Sequence, residues 1–324
     1  MTKVLALNTD GQLTYCTAPE ELRGKGRCNH IFHQNNGESK EDFLKRIASM
    51  TDPTILDSIK REELIENLIN DEDYIVHISA ARSGYKLDKF VHDPNKEVRK
   101  EVAKLGYGGD ILVNDSYEGV REYLAIAGCC LDKLVDDKDP CVRAEVAAKA
   151  YGLDKLINDE SAYVRRVVAE KGYGLDKLIN DPDDDVRAEV AKNGYGLDKL
   201  VNDESSYVRR CVANQDYELE KLSKDESWYV RAAVARQGYG LDVLVNDETY
   251  AVREEVARQG YGRDILIKDK DFRVRIAVAS TGYGLNNLVN DRNHSVRIQV
   301  AKMGYGLDKL VDDNNEFVRV EVAK

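Results

Sequence analysis

"GYGLDKLVNDESSYVRR", residues 194–210, brings together a glycine-flanked tyrosine, an Asp–Lys pair, a second acid and paired arginines, the mixture expected near an active site. The same words recur along most of the chain. Aligned on the Asp of "ND", the copies fall at Asp71, Asp93, Asp115, Asp137, Asp159, Asp181, Asp203, Asp225, Asp247, Asp269, Asp291 and Asp313, a spacing of 22 residues kept twelve times without an insertion. With that Asp as position 0, position +5 is Val in all twelve copies, +6 is Arg in eleven with His77 in the first, +9 is Val in ten, and +10 is Ala in all twelve. Self-similarity at a short fixed period marks a repeat architecture. The quoted stretch is therefore a building unit before it is a site.

Within each copy the apolar or small residues at +5, +9, +10 and +13 line one face of a helix. The spacing predicts an α-helix from about +3 to +13, closed at glycines such as Gly106, Gly172, Gly194 and Gly238 by a left-handed C-cap. "LDKLV" then predicts one or two further turns, tight or 3₁₀ in character, with its Asp at +17 where an acid suits a helix N-terminus. So short a unit cannot bury its own stripe, so the copies must stack into an α-solenoid with a continuous core. The expected fold class is mainly α: an array of twelve units over residues 51–324 behind a small module at residues 1–50.

Asp followed by Val five and Arg six residues later, as in "NDESSYVRRCVA", resembles HEAT-type repeats. The short period, with "VRxxVA" followed by "LxxL", is closer to the leucine-rich repeat variant family. The resemblance covers residues 64–324 and implies alternating α and short 3₁₀-like helices in a curved superhelix, with a binding rather than a catalytic role. It departs from the family at the turn, where "GYG" replaces the usual "NP". Some members carry a cysteine-rich iron–sulfur module; two cysteines in this N-terminus are too few for four-thiolate ligation.

The first residues differ from the array. "KVLALNTDGQLTYCTA" alternates apolar and polar residues around a turn and predicts a β-hairpin, followed by a polar loop and a helix from about Ser39. Cys16, Cys28, His30 and His33 supply two sulfur and two nitrogen ligands, a donor set that suits tetrahedral zinc. The competing reading is a metal-free cap docked on the first repeat. Cys28 beside a histidine makes a weaker nucleophile candidate, because nothing supplies an oxyanion site. Arg23, Lys25 and Arg27 read as a solvated basic loop.

The net charge is −11, and because the first 60 residues balance, the surplus lies in the array. That argues against a protein built to grip nucleic acid by its phosphates and favours a basic partner. No apolar run approaches the roughly 18 residues needed to span a bilayer, and six scattered cysteines suit a reducing compartment. The expectation is a cytoplasmic protein without membrane contact.

Groups present in every unit must do what every unit needs. The Asp and Arg are expected to form ladders, each Arg reaching an Asp of its own or the adjacent unit, and Tyr at +14 to pack between repeats, with Cys129 its one replacement and the adjacent Cys129 and Cys130 small fillers. "GYG" matches neither a phosphate loop nor a membrane filter. Function is then expected where the copies differ, on the helix face carrying +4, +7, +8 and +11. Solvated i,i+3 pairs are predicted at Glu101–Lys104, Glu189–Lys192 and Glu255–Arg258. An aromatic series near the helix starts, from Tyr163 through Phe317, singles out as partner-binding residues Tyr163, Arg166, Tyr207, Arg210, Gln215, Trp228, Tyr229, Tyr250 and Phe272.

These readings converge on a non-catalytic scaffold that binds, and inhibits or recruits, a basic nucleic-acid-handling protein; a phage or mobile-element inhibitor of a bacterial defence enzyme fits that description. The alternative is a nucleic-acid-binding protein of the HEAT-like DNA glycosylase type. A metal-dependent enzyme built on Cys16, Cys28, His30 and His33 is the third. The final helix, without a polar closing unit, is expected to fray or to pair with a second molecule.

Overall fold

Position +2 sets the start of each long helix. A computed structural model describes the backbone of residues 4–8, 13–16 and 30–33, residues 38–39, 42 and 46, and residues 73–84 and 86–324. At +2 the side chains of Asp73, Asn95, Asp139, Asp183, Ser205, Asp271, Asn293 and Asn315 accept the backbone N–H two residues on, so short polar residues there satisfy donors the first turn leaves open. The long helices run Tyr74–Arg82, Lys96–Lys104, Glu118–Ile126, Pro140–Ala148, Ala162–Glu170, Asp184–Lys192, Ser206–Ala213, Trp228–Arg236, Tyr250–Arg258, Phe272–Ser280, His294–Lys302 and Glu316–Val322.

The predicted glycine stop is present. At +13 Gly106, Gly172, Gly194 and Gly238 have φ of 71°, 72°, 73° and 78°. In the second repeat the Gly106 N–H donates to the Ala103 carbonyl and the Tyr107 N–H to the Val102 carbonyl, the paired bonds of a Schellman C-cap. The tyrosine of "GYG" is thus the first residue past the cap. A second left-handed residue at +15, glycine in most copies but Lys86 in the first, Cys130 in the third and Glu218 in the seventh, opens the short helix, whose bounds are Leu87–Phe90 in the first copy and Leu307–Leu310 in the last described one.

These short helices are α rather than 3₁₀. Leu112 N–H donates to the Gly108 carbonyl and Val113 N–H to the Gly109 carbonyl, bonds that span four residues. The left-handed residue at +15 explains the difference: its carbonyl accepts from the residue four ahead, as Gly108 does from Leu112 and Cys130 from Leu134, so one complete α turn closes within four residues.

The chain divides into two compact units, residues 1–167 and 168–324. In the first, Tyr74–Arg82, Lys96–Lys104, Glu118–Ile126 and Pro140–Ala148 each pack on the next. In the second, the helices from Asp184–Lys192 to Glu316–Val322 do the same. Each unit is therefore a solenoid-like stack. Val at +5 and +9 and Ala at +10 are buried, as with Val98, Val102 and Ala103, or Val230, Val234 and Ala235; Leu112, Leu200 and their counterparts at +19 close the core from the short helices.

Three strands precede the array: β1 (Val4–Asn8), β2 (Leu13–Cys16) and β3 (His30–His33), paired antiparallel in the order β2-β1-β3. Leu7 faces Leu13 across the first pair, and the second pair shifts register between Leu7 and Asn8. The division between module and array at residues 50 and 51 lies outside the described residues. Among the described residues no helix is long and apolar enough to cross a membrane.

Candidate functional site

The Asp–Arg repetition resolves into a directional ladder. Arg at +6 donates from Nε and Nη2 to the carboxylate of the following repeat's Asp: Arg99–Asp115, Arg121–Asp137 and Arg143–Asp159 in the first unit, and Arg187–Asp203 through Arg297–Asp313 in the second. For Arg187 the two bonds are 2.7 and 2.9 Å, while its Nη1 donates to the backbone carbonyl of Asp181 at 2.8 Å. Each Arg therefore meets both its own repeat and the next. The Asp is equally engaged, since Asp203 Oδ1 also accepts the Ser205 N–H at 2.8 Å. Burial pushes the Asp203 carboxyl up, but the Arg187 guanidinium and the Ser205 N–H outweigh it and hold the group below its ordinary value. In the first copy His77 stands in for Arg and meets Asp93 by one contact, Nδ1 to Oδ2 at 2.7 Å. These groups are committed to the stack, even where Asp137, Arg143 and Asp159 also line an open cleft of about 540 Å³.

The residues that differ between copies lie elsewhere, at +3, +4 and +7 of the long helices. In the second unit, repeats seven to ten place Tyr207, Trp228, Tyr229, Tyr250 and Phe272 at the starts of consecutive packed helices. Cations lie over these rings. Arg210 is 5.0 Å and Lys192 5.8 Å from the Tyr207 centroid, and Arg273 is 3.5 Å from that of Tyr250 and 5.5 Å from that of Phe272. Trp228 and Tyr229 stack with centroids 3.7 Å apart, and Tyr229 keeps 51% of its surface exposed. Between repeats seven and eight, Ser206, Tyr207, Arg210 and Tyr229 line an open cleft of about 310 Å³.

The cations around this face differ in their partners. Lys192 bonds Glu189 at 2.8 Å, Arg236 bonds Glu255 at 2.7 Å, Arg258 bonds Glu254, and Arg273 bonds Asp271 at 2.9 Å. The expected Glu255–Arg258 pair is therefore corrected: Glu255 reaches back to the preceding repeat, which frees Arg258 for the acid one turn away on its own helix. Glu101–Lys104 and Glu189–Lys192 pair as expected, both at 2.8 Å. The Arg210 side chain has no hydrogen-bond or carboxylate partner among the described residues, and neither has the Ser206 hydroxyl.

Other expected site residues do not join the cleft. In the fifth repeat, Arg166 lies 5.3 Å over Tyr163, the same pairing as Arg210 with Tyr207. Gln215 is exposed just past its helix, away from the residues that line the cleft. Asp216 and Glu218 nearby occupy the left-handed positions that glycine holds in most copies, with φ of 55° and 49°. Eight of the +14 tyrosines are about two-fifths exposed, as Tyr195 at 42% shows, so their rings form part of the surface. The Cys129 thiol donates to the Gly106 carbonyl at 3.5 Å in place of the missing tyrosine, and burial pushes the Cys130 thiol up, away from reactivity.

Of the zinc set, Cys28 lies outside the described residues. The backbone places Cys16 opposite Val4 on β2, and His30 and His33 on β3. Sequence reading missed Arg273, Lys192 and Ser206 as members of the aromatic face; the signal was present, because +3, +4 and +7 of one helix and +11 of the previous helix fall on the same surface.

No protein-family model and no curated protein matches this chain.

Proposed function

We propose that the protein is a non-catalytic scaffold that binds another protein through the aromatic and cationic face of its long helices. The observation that carries this reading is a division of labour: the common Val, Ala, Leu, Asp and Arg go into core and ladder, while the differing Tyr207, Arg210 and Tyr229 line one open cleft, with Trp228 stacked on Tyr229. Exposed Tyr, Trp and Arg are the side chains that most often anchor protein interfaces. The net charge of −11 supports a basic partner drawn in by long-range attraction, and a nucleic-acid-handling protein, including a defence enzyme inhibited by a phage or mobile element, is the class this fits. HEAT-like or leucine-rich-repeat-variant kinship, a cytoplasmic setting and a zinc-holding N-terminal cap belong to the same reading.

The chain, immobilised and exposed to a lysate, is expected to retain one basic protein and release it as salt rises. Retention of nothing, or of a partner indifferent to salt, would sink the electrostatic part of the proposal. The glycosylase-like alternative draws its support from cations held over aromatic rings, as at Tyr250 and Tyr207. A gel shift with DNA or RNA at low salt separates it from the first.

A further inference from the structure

The cleft between repeats seven and eight has a chemistry opposite to that of the molecule as a whole, and this fixes what can enter it. Its walls are the rings of Tyr207 and Tyr229, its polar groups the Ser206 hydroxyl and the Arg210 guanidinium. Arg210 is held over the Tyr207 ring at 5.0 Å without an acid partner, whereas Lys192, Arg236, Arg258 and Arg273 each already carry one. One uncompensated guanidinium over the Tyr207 ring, in a cleft that Tyr229 also lines, calls for a single planar anion with a flat or apolar neighbour, because guanidinium binds carboxylate in a bidentate fork.

The size agrees. About 310 Å³ is the lower end for ligand pockets and suits one or two side chains. A nucleic-acid strand would need a row of unpaired cations to follow its phosphates; here the cations nearest the cleft in the row, Lys192, Arg236, Arg258 and Arg273, are each held by an acid, inside a chain of net charge −11.

We propose that this cleft receives an Asp or Glu side chain borne next to an aromatic residue on an extended segment of the protein partner: the carboxylate meets Arg210 and the Ser206 hydroxyl, and the ring lies against Tyr207 and Tyr229. This rests on the scaffold reading above and names the recognition element within it. A basic partner drawn in by the acidic array is then set in register by one contact of reversed sign.

Trp228 is the only tryptophan in the chain, and it stacks on Tyr229, which lines the cleft, so its emission reports on this neighbourhood. The full-length protein is titrated with four probes: N-acetylated, C-amidated Gly-Glu-Phe-Gly, the same peptide with Gln or with Lys in place of Glu, and single-stranded oligothymidine. The Glu peptide is expected to shift Trp228 emission at least fivefold more tightly than the Gln peptide. That ratio falls to about one in Arg210→Gln and persists in Arg166→Gln, with far-ultraviolet circular dichroism unchanged in both. The inference is overturned if the Glu and Gln peptides bind alike, if the Lys peptide or oligothymidine binds more tightly, if no probe moves the emission, or if the preference survives Arg210→Gln. Retention of a salt-released partner by Arg210→Gln as well as by wild type would overturn the cleft assignment and leave the scaffold standing; peptide discrimination without any retained partner would do the reverse.

Discussion

At Arg187 the side chain leaves none of its three nitrogens idle: Nε and Nη2 on Asp203, Nη1 on the Asp181 carbonyl. Removing one member of so buried a pair strands the other, a loss of about 3–5 kcal/mol. Arg187→Ala is therefore expected to destabilise the second unit by that much, and Arg187→Lys by less, because an ammonium keeps a positive charge beside Asp203 although it cannot span both carboxylate oxygens. Repeat arrays depart from all-or-none unfolding, so native-state hydrogen exchange in the helices Asp184–Lys192 and Ser206–Ala213 is the measurement. Unaltered protection there would contradict the ladder. Identical recurrence made these groups legible as structural from sequence. Their direction was not, since the carbonyl six residues back and the carboxylate sixteen ahead lie on the same side of the helix, and only stacking shows that both are reached.

The short helix and its glycines carry the argument at the level of the element. Gly152 has φ of 62°, and a Cβ there would lie 2.6 Å from Val135 Cγ2 of the preceding repeat. Gly240 has the same φ, but its neighbour is Ser223, 3.5 Å away. Both alanine variants meet the left-handed penalty of about 1–2 kcal/mol, and only Gly152→Ala adds overpacking of about 1–3 kcal/mol. Thermal or denaturant midpoints are expected to fall further for Gly152→Ala; equal losses would mean that the close approach does not matter. Sequence revealed the long helix because three buried positions, +5, +9 and +10, repeat with helical spacing, whereas the glycine at +13, expected in the same stripe, lies at the surface because it caps the helix. It concealed the α character of "LDKLV", because four residues cannot display a period, and the cleft at Arg210, because that depends on which neighbouring cations already hold acids.

At the scale of the whole molecule, six ladder aspartates shift in the same direction. Asp115, Asp137, Asp159, Asp203 and Asp291 are pushed up by burial and pulled further down by arginine and backbone donors, and at Asp313 the Arg297 bonds lead; all end below the ordinary carboxylate value. A group whose folded pKa is depressed contributes stability above its unfolded value, about 3.9 for Asp, and loses it as pH falls through the folded value. Denaturant midpoints are accordingly expected to hold level from about pH 7 to 5 and to drop steeply below about pH 4, many rungs failing together. A decline already complete by pH 5 would point to groups other than these aspartates.

The same ladder makes the array a ruler that can be cut only at its graduations. Each arginine reads sixteen residues forward and six residues back at once, so excising one whole 22-residue unit rejoins every rung with a chemically equivalent partner, whereas excising one residue fewer breaks rungs on both sides of the join. Distances between surface features within a stack can therefore change only in whole steps. A partner gripped at two points along one stack is matched to a number of units rather than to a continuous length.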